Sequence, residues 1–504
     1  MVKKLFLFSS LLLSSAYTQP LVEKKLVIVV TSYNNADWFD RNLGTLFFQK
    51  NPDGTGLYEN YRIIYVDDCS YDNTAELVEQ YVYACNQQHR VTIIKNKTRK
   101  RAMANLYYAL QLCEPDEIVF NYDGDDWLAN DSVFAMINEI YQNPNIWITY
   151  GSFINWPTDQ MGYCKPFPDE YIEKQLFRKK WWMPGQLRTF YASLFHQIPL
   201  KDLFFEGPYF QGQFFPANAD LAIYYPMMEM AGYHYKYIPD VIYIRNVATP
   251  INDFKANKDV QVLGSKLIRE KEVYAHIESP RFDYFETFKS RKADCIIFCQ
   301  NPSHAATFIA SLEKLTRNLN TLYLLYNPNV VTHADAYKKL SSKYNLQIIP
   351  ADSTNFKNQL LQILAQCHDH ILFAQDQMII NKYIDFSESI YLLERAFAYG
   401  FFFSLGEGQS TSLQTGLSQP LPALNQINKN TYAWAFHYAQ TGDWRCYNNL
   451  SCTLYRTKMI QEQFASIDFG DHHELFHAWQ QVPINLEQVG LCYEQSCIGY
   501  INWY

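Results

Sequence analysis

Short apolar, β-branched segments alternate with helical segments in the first quarter of this chain, and this alternation restricts the fold more than any other feature. The apolar segments read KLVIVV, YRIIYV, RVTIIK and EIVFNY, between residues 25 and 122. A strand that is buried on both faces is apolar along its length, and strands joined by helices pair in parallel. The pattern therefore predicts an α/β fold with a mostly parallel sheet flanked by helices.

Polar clusters follow three of these four strands. The first strand ends in TSYNN, the second in DDCSYDNT and the fourth in DGDDW. Parallel sheets bind ligands beyond the carboxyl ends of their strands, so we expect the three clusters to face one crevice. Asp, Asn, Ser and Thr also cap helices, which accounts for any one cluster taken alone.

The acidic cluster after the fourth strand needs a further explanation. Asp123, Asp125 and Asp126 lie within four consecutive positions, and neighbouring carboxylates repel one another unless a positive charge is present. Mg²⁺ and Mn²⁺ prefer oxygen ligands and usually take one or two protein carboxylates together with substrate phosphates. The residue spacing of a calcium-binding EF-hand is missing. We therefore expect a site for a metal-bound phosphate ester.

The composition limits the classes of partner. The chain of 504 residues is 48% hydrophobic and 16% aromatic, which is ample for large buried cores. Its net charge of −8 argues against nucleic acid as a partner. The eleven cysteines show no paired metal-ligand spacing. Most are expected to be buried apolar side chains, and export of the chain would allow one or two disulfides.

Residues 1–20 have the pattern of a secretory signal peptide. Lys3 and Lys4 precede a short apolar segment, and Ser14 and Ala16 are placed for cleavage after Ala16. The apolar part is about a dozen residues long, whereas a membrane-spanning helix needs about 20. The alternatives are an ordinary N-terminal strand and a short anchor that is retained, which would give peripheral contact with a membrane.

The strand and helix pattern restarts in the second half of the chain. A charged, proline-containing linker at residues 276–291 separates a predicted domain at 21–275 from a second α/β domain of similar pattern at 292–504. The fourth strand of this second domain, DHILFAQDQMI, ends in QDQ, in which Asp376 is the acid. One carboxylate in place of two or three should bind a divalent ion poorly.

Three of these segments also resemble one known family in order and spacing. VVTSYNN, YVDDCSYDNT and NYDGDDW, within about residues 25–250, resemble the opening loop, the VDDxSxDxT segment and the Asp-x-Asp motif of family 2 glycosyltransferases with the GT-A fold. The second half resembles a degenerate domain of the same fold, which we interpret as serving acceptor binding, dimerisation or packing. The alternative is a metal-independent second transferase in which Asp376 binds substrate. The resemblance implies a GT-A-type mixed sheet and a nucleotide-sugar donor, expected to be UDP-linked, bound with Mn²⁺ or Mg²⁺.

The resemblance also implies roles for particular residues. It places a nucleotide pocket at the first two strand ends, diphosphate contact in the basic segment KTRKRAMAN, and ribose and metal binding in the acidic cluster. The implied residues of the nucleotide pocket are Thr31, Ser32 and Tyr33, with Asp67 or Asp68. The implied diphosphate contact is Arg99, with Arg101 as second choice. The implied ribose and metal ligands are Asp123 and Asp125, with Asp126 alongside. On charge alone, the basic segment is also typical of a solvated surface.

The same resemblance implies a catalytic base in the segment that begins ANADLAIYY. Asp220 holds that position and Glu229 is the reserve. A carboxylate there takes the proton of an acceptor hydroxyl while the hydroxyl oxygen attacks the anomeric carbon. Attack opposite the leaving group inverts the configuration of that carbon. The alternative role of Asp220 is a helix N-cap. Ala219 stands where the family has a glutamate, and the histidine that often follows YIR is missing.

Two neighbouring tryptophans are candidates for acceptor binding. Sugars stack on aromatic rings, so Trp181 and Trp182 suit a saccharide, glycoprotein or glycolipid acceptor. Paired tryptophans are also common in protein cores, so both interpretations stay open.

The motifs together predict an inverting, metal-dependent glycosyltransferase. A catalytically silent carbohydrate-binding or scaffold protein on the same fold is the alternative, and metal-dependent nucleotidyl transfer is a third hypothesis.

The leader indicates a secretory route or export, whereas a cytosolic donor supply in bacteria argues against free secretion. Glycosylation sequons lie at Asn96, Asn130 and Asn449, and a glycan on either of the first two would obstruct the predicted donor site.

Overall fold

The computed structural model describes residues 22–249, 258–329, 334–343, 346–413 and 415–500. The predicted leader lies outside these ranges. The described residues form two large sheets, one in each half of the chain, together with the helices that pack on them.

The first half is built on one mixed sheet of nine strands. The strands are β1 (Leu26–Ser32), β2 (Tyr61–Asp67), β3 (Val91–Lys95), β4 (Ile118–Asp123), β5 (Trp127–Leu128), β6 (Ile148–Trp156), β7 (Gln160–Met161), β8 (Gly185–Tyr191) and β9 (Tyr235–Asn246). The helices are α1 (Phe39–Phe47), α2 (Thr74–Ala84), α3 (Arg101–Gln111), α4 (Val133–Ile140), α5 (Asp169–Glu173), α6 (Ala192–His196), α7 (Ala219–Ala231) and α8 (Lys258–Glu270). Strands β1, β2 and β4 are buried along nearly their whole length, as their continuous apolar segments predict.

The strand order confirms the predicted α/β fold class. The order is β3-β2-β1-β4-β8-β6-β9-β5, with β7 paired to β6. Strands β3, β2, β1 and β4 pair in parallel, and β8 is antiparallel to both of its neighbours. Strand β9 runs parallel to β6 and antiparallel to β5. The sheet is therefore mixed, with an uninterrupted parallel part that carries the predicted site.

The second half contains its own nine-stranded sheet and two small two-stranded sheets. The strands are β10 (Ala293–Cys299), β11 (Thr316–Arg317), β12 (Leu319–Tyr326), β13 (Leu346–Pro350), β14 (His370–Gln375), β15 (Met378–Ile380), β16 (Ile384–Asp385), β17 (Gly400–Phe402), β18 (Asn425–Gln426), β19 (Thr431–Ala435), β20 (Thr453–Arg456), β21 (Val489–Tyr493) and β22 (Ile498–Tyr500). The helices are α9 (Pro302–Leu315), α10 (Ala334–Lys343), α11 (Phe356–Gln366), α12 (Phe386–Arg395), α13 (Thr457–Ala465) and α14 (His472–Gln480).

The first eight strands of the large second sheet have the same order of strand directions as the first sheet. Its order is β13-β12-β10-β14-β20-β17-β21-β19-β18. Strands β13, β12, β10 and β14 pair in parallel, and β20 is antiparallel to β14 and β17. Strand β21 is parallel to β17 and antiparallel to β19. This is the sequence of strand directions of the first sheet, so the predicted second α/β unit of similar pattern is confirmed.

The two halves share a buried core. One cluster of buried apolar side chains contains strand residues of both sheets, for example Val29 and Phe401, whereas a second cluster lies in the second half. The backbone of one half also bonds to the other, since the amide of Leu200 donates to the carbonyl of Ala396 at 3.3 Å. The expected linker at residues 276–291, and with it the division into two domains, stays a prediction.

The described residues also bear on the cysteines and on membrane contact. Cys295, Cys299, Cys492 and Cys497 are buried thiols outside any disulfide, as expected for small apolar side chains. None of the helices in the described ranges combines the length and apolar character needed to cross a lipid bilayer.

Because the halves share a core, we expect the full chain to unfold in one cooperative transition. Calorimetry should give a van't Hoff enthalpy close to the calorimetric enthalpy. A fragment that ends at residue 275 should melt at a lower temperature, since it exposes apolar surface that the second half covers. Two separate transitions, with a fragment as stable as the whole chain, would contradict the shared core.

Candidate active site

The polar ends of the parallel strands meet in a cavity of about 240 Å³. The parallel register places Thr31 opposite Asp123 and Ser32 opposite Asp67. The side chains that line the cavity are those of Thr31, Ser32, Tyr33, Asn35, Asp68, Arg99, Arg101, Ala102, Asn105, Asp123, Asp125, Asp126, Arg245 and Asn246. The structure thus brings together all the residues predicted for the donor site except Asp67, which is buried behind the cavity wall.

A glycine allows the acidic loop to pack against β1. A Cβ atom on Gly124 would lie 2.7 Å from the Cβ of Ser32 and 2.8 Å from Nδ2 of Asn35. The amide of Gly124 donates to the carbonyl of Thr31 at 3.0 Å. The side-chain amide of Asn42, on α1, donates to the carbonyl oxygens at either end of the loop. A larger residue at position 124 would separate the carboxylates from the end of β1.

The carboxylate of Asp123 is held in a partly desolvated position at the cavity wall. Its Oδ2 accepts a hydrogen bond of 3.1 Å from Nε2 of Gln186. Desolvation and the neighbouring charge of Asp125 raise the pKa of Asp123 to about 6, against the opposing effect of Arg188 and Arg245. Desolvation also raises the pKa of Asp125. Both groups therefore gain from a nearby positive charge.

Asp126 connects the acidic loop to the end of β9. Its Oδ1 accepts a hydrogen bond of 2.7 Å from the amide of Asn246, and its side chain is buried. Burial, followed by the charges of Asp125 and Asp123, raises the pKa of Asp126 well above its usual value. One of its two oxygens is thus committed to the protein, and Asp125, which also lines the cavity, is itself hydrogen-bonded to the side chain of Thr249.

The donor set of this loop suits a divalent cation. Within the described ranges, no three His, Cys, Asp or Glu side chains already converge as a complete coordination shell. Mg²⁺ and Mn²⁺ sites commonly use only one or two carboxylates and take their other ligands from water and phosphate oxygens. Asp123 and Asp125 have the oxygen chemistry that such an ion prefers, and desolvation raises the pKa of both carboxyl groups, so each would gain from its positive charge. These two residues fit the predicted metal role.

The basic wall of the cavity is organised by Asp68. Its carboxylate accepts backbone hydrogen bonds from Lys100 at 2.7 Å and Arg101 at 2.8 Å, where α3 begins. It also accepts a 3.0 Å bond from Nδ2 of Asn96 and lies 3.9 Å from Nε of Arg99. Asp68 therefore positions the basic segment. The buried Asp67 accepts from the amide of Ser70 through one oxygen.

Arg99 and Arg101 both present their guanidinium groups at the cavity. The guanidinium carbon of Arg99 lies 3.8 Å from the centre of the Tyr33 ring, a cation–π contact that orients it. Arg101 rests on Phe210, at 4.8 Å from the ring centre. The basic segment thus contributes Arg99 and Arg101 to the cavity wall, while Lys97, Thr98 and Arg99 also face solvent.

Asp220 lies near the acidic cluster but outside the lining of the cavity. The N-cap position of α7 is Asn218, so Asp220 falls inside the first helical turn and is not the cap. Its Oδ2 accepts a 3.2 Å bond from Nη2 of Arg188, and its side chain is 33% exposed. The buried Arg188 pairs across the sheet with Asn121 of β4, and its charge acts on both Asp220 and Asp123.

Two other predicted residues have different surroundings. Glu229 is fully buried and forms a two-point ion pair with Arg178, at 2.6 and 2.8 Å. It also accepts a 3.1 Å bond from the amide of Tyr274, so the reserve base is enclosed in the protein. Of the tryptophan pair, Trp182 packs on aromatic rings of α7, whereas Trp181 is 72% exposed.

The second sheet carries neutral side chains where the first carries its metal-binding candidates. The amide of Asp376 donates to the carbonyl of Phe298, the bond that Gly124 makes to Thr31 in the first sheet. Gln375 and Gln377 therefore stand in the places of Asp123 and Asp125. The carboxylate of Asp376 is buried and accepts the amides of Gln300 at 2.7 Å and Asn301 at 2.6 Å.

Residues 27–204 match the family model described as glycosyl transferase family 2. This part of the chain therefore carries a glycosyl transferase family 2 domain, as the motifs predict. A Bacillus subtilis (strain 168) protein named "Putative glycosyltransferase EpsE" is 39% identical over 69 residues, which are 14% of this chain and 24% of that protein. The chain thus matches about a quarter of the length of this curated relative.

Two solved structures show a weaker likeness. S. aureus TarS is 17% identical, with 44% of this chain and 37% of that chain covered and a TM-score of 0.32. The mannosyltransferase PcManGT from Pyrobaculum calidifontis, in complex with GDP-Man and Mn²⁺, is 17% identical, with 64% and 80% covered and a TM-score of 0.33. At this level of similarity, neither structure bears on the roles of individual residues.

Replacing Glu229 by Gln should destabilise the protein. Gln keeps the shape but leaves the buried Arg178 without its counter-charge, which typically costs about 3–5 kcal/mol. Unfolding by guanidinium chloride measures the change, and Glu270→Gln at an exposed position of α8 is the matched control, with an effect near zero. A full loss of activity at unchanged stability would instead make Glu229 the base.

Asp123→Asn should stabilise the metal-free protein in a pH-dependent way. Because the folded pKa of Asp123 is raised from 3.8 to about 6, its stabilising contribution is complete below pH 4 and is lost as the pH rises through 6. The melting temperature of Asp123→Asn should match wild type near pH 4 and exceed it above pH 6.5, in buffer with EDTA. A difference that does not change with pH would contradict the raised pKa.

Proposed function

We propose that this protein is an inverting, metal-dependent glycosyltransferase that moves a sugar from a nucleoside diphosphate to a hydroxyl acceptor. The observation that carries the proposal is one cavity, in a family 2 domain, that combines the acidic pair Asp123 and Asp125 with Arg99 and Arg101. A UDP-linked sugar is the proposed donor. A saccharide, glycoprotein or glycolipid is the proposed acceptor.

The two charged walls suit the two parts of a metal diphosphate. Guanidinium groups form paired hydrogen bonds with phosphate oxygens, and Arg99 and Arg101 are held for this by Tyr33 and Phe210. Asp123 and Asp125 are the proposed ligands of Mn²⁺ or Mg²⁺. Such an ion, when bound, stabilises the charge that develops on a departing diphosphate. Thr31 and Ser32 form the adjoining wall of the proposed nucleotide pocket.

Asp220 is the proposed catalytic base. A carboxylate takes the proton of the acceptor hydroxyl as the oxygen attacks the anomeric carbon, and attack opposite the leaving diphosphate inverts the configuration. The hydrogen bond from the buried Arg188 orients this carboxylate. Because 33% of the side chain is exposed, an acceptor can reach it. Trp181 and Trp182 stay candidates for acceptor contact.

We propose that the second α/β unit, residues 292–504, transfers no sugar. Its counterparts of Asp123 and Asp125 are the neutral Gln375 and Gln377. Asp376 is engaged with two backbone amides, so it does not supply a free carboxylate. Packing against the first unit, residues 21–275, is the role that its contacts support.

The surroundings of Asn96 bear on where the protein folds. An N-linked glycan is attached to Nδ2, and this atom donates to Asp68 at 3.0 Å and to Asn105 at 2.7 Å in the donor cavity wall. A glycan there would displace at least one of these bonds. We therefore propose that the active protein is unglycosylated at Asn96 and has access to a cytosolic donor pool, with the leader as an anchor.

A panel of nucleotide sugars with Mn²⁺ tests the proposed function. Wild type should release a nucleoside diphosphate from one donor, and EDTA should abolish the release. Asp125→Ala should lose the response to metal, whereas Asp220→Asn should keep donor binding and lose about 10²–10⁴-fold in turnover. Asp116→Asn, an exposed change, is the control.

Three outcomes of this panel would contradict the proposal. Release of pyrophosphate would indicate nucleotidyl transfer. Donor binding without release would indicate a silent carbohydrate-binding or scaffold protein. Equal activity in wild type and Asp125→Ala would remove the metal role.

A further inference from the structure

A side chain of the second half binds the backbone of a loop of the first half at two points. This bridging loop (residues 204–215) contacts Asn425 of β18. The buried Asn425 donates from Nδ2 to the carbonyl of Gly212 at 2.6 Å, and its Oδ1 accepts the amide of Phe214 at 3.2 Å. One amide group thus fixes both a donor and an acceptor of the loop backbone. A Cβ atom on Gly212 would lie only 2.8 Å from the Tyr438 ring, so the loop is pressed onto the second half.

The other side of the bridging loop forms part of the support of the donor cavity. Phe210 lies beneath the guanidinium of Arg101, at 4.8 Å from its ring centre. The ring of Phe214 packs on Tyr107 of α3 at 5.1 Å, on the helix that begins with Arg101. A continuous series of contacts therefore connects Asn425 of the second half, the bridging loop and the cavity wall.

A second contact joins the same strand to the same helix start. Nζ of Lys100 is hydrogen-bonded to Oε1 of Gln426, the residue that follows Asn425 in β18. Desolvation lowers the pKa of Lys100, in keeping with its position between the two halves. Two adjacent residues of β18 therefore reach the two basic residues at the start of α3. Gln426 contacts Lys100 directly, and Asn425 reaches Arg101 through the bridging loop.

We propose that Asn425 is a positioning residue for donor binding, acting through the bridging loop on Arg101. This inference rests on the proposed function, because it takes the cavity to be a diphosphate site. A guanidinium that is already supported in place loses less conformational freedom when it binds a phosphate group. The second half therefore completes the donor site of the first without contributing a group that touches the donor.

The test compares Asn425→Leu with Asn430→Leu, a change at an exposed position of the same hairpin. The probes are UDP and GDP, each with Mn²⁺, measured by calorimetry on the full chain. Asn425→Leu should weaken binding of the nucleotide that wild type prefers by roughly three- to thirtyfold, and Asn430→Leu should not. In turnover, the KM for the donor should rise more than kcat falls, because only ground-state positioning is lost.

Two further variants separate positioning from general damage. Phe210→Leu leaves the Asn425 bonds in place and should weaken nucleotide binding to a similar extent. Arg101→Ala combined with Asn425→Leu should bind no more weakly than Arg101→Ala alone, because both changes act through the same guanidinium.

The outcomes distinguish this inference from the proposed function. If wild type binds neither nucleotide, both fail. If wild type binds and turns over donor, but Asn425→Leu and Phe210→Leu bind nucleotide as tightly as wild type, the inference is wrong and the proposed function stands. Additive losses in the double variant would also overturn it, since Asn425 would then act independently of Arg101.

Discussion

Repulsion among the carboxylates that follow β4 is the constraint around which the rest of the site is arranged. The chain places Asp123, Asp125 and Asp126 together, and burial makes each charge costly. The surrounding structure answers with Arg188 and Arg245, and with a backbone amide on Asp126. These partners offset the unfavourable effects only in part, because desolvation and then the charge of Asp125 still raise the pKa of Asp123 to about 6. The remaining imbalance is what a divalent ion would remove.

The two sheets show how one topology supports different chemistry at the same place. In the first sheet, the amide that follows β4 donates to a carbonyl near the end of β1. In the second sheet, the amide that follows β14 donates to a carbonyl near the end of β10. In the first sheet Gly124 has no side chain at that position, so Ser32 and Asn35 pack closely against it, and carboxylates flank it. In the second sheet Asp376 fills the position and bonds to the loop amides. Asp376 thereby stabilises the loop that follows β10. The edge strand β18 of the same sheet contacts the first half.

Much of the fold and part of the site follow from local patterns. The apolar segments predict parallel strands correctly because strands buried on both faces have no polar side. Thr31 and Asp123 could be placed together because parallel strand ends share one edge of the sheet. Arg245 was missed as a cavity residue, although the YIR segment that contains it ends a strand. Asn42 was missed because its role, bonding the carbonyls of the acidic loop, is visible only in three dimensions.

The sequence by itself determined the α/β class, the repeated pattern and the cluster of residues at the strand ends, because these depend on periodicity and on neighbours along the chain. Only the tertiary structure decided which charges are free to act. Glu229 is neutralised by Arg178, 51 positions away, and Arg101 is supported through a loop held by Asn425. The physical reason is that the state of a buried charge depends on its partners and its desolvation. Both are set by packing between segments far apart in the chain.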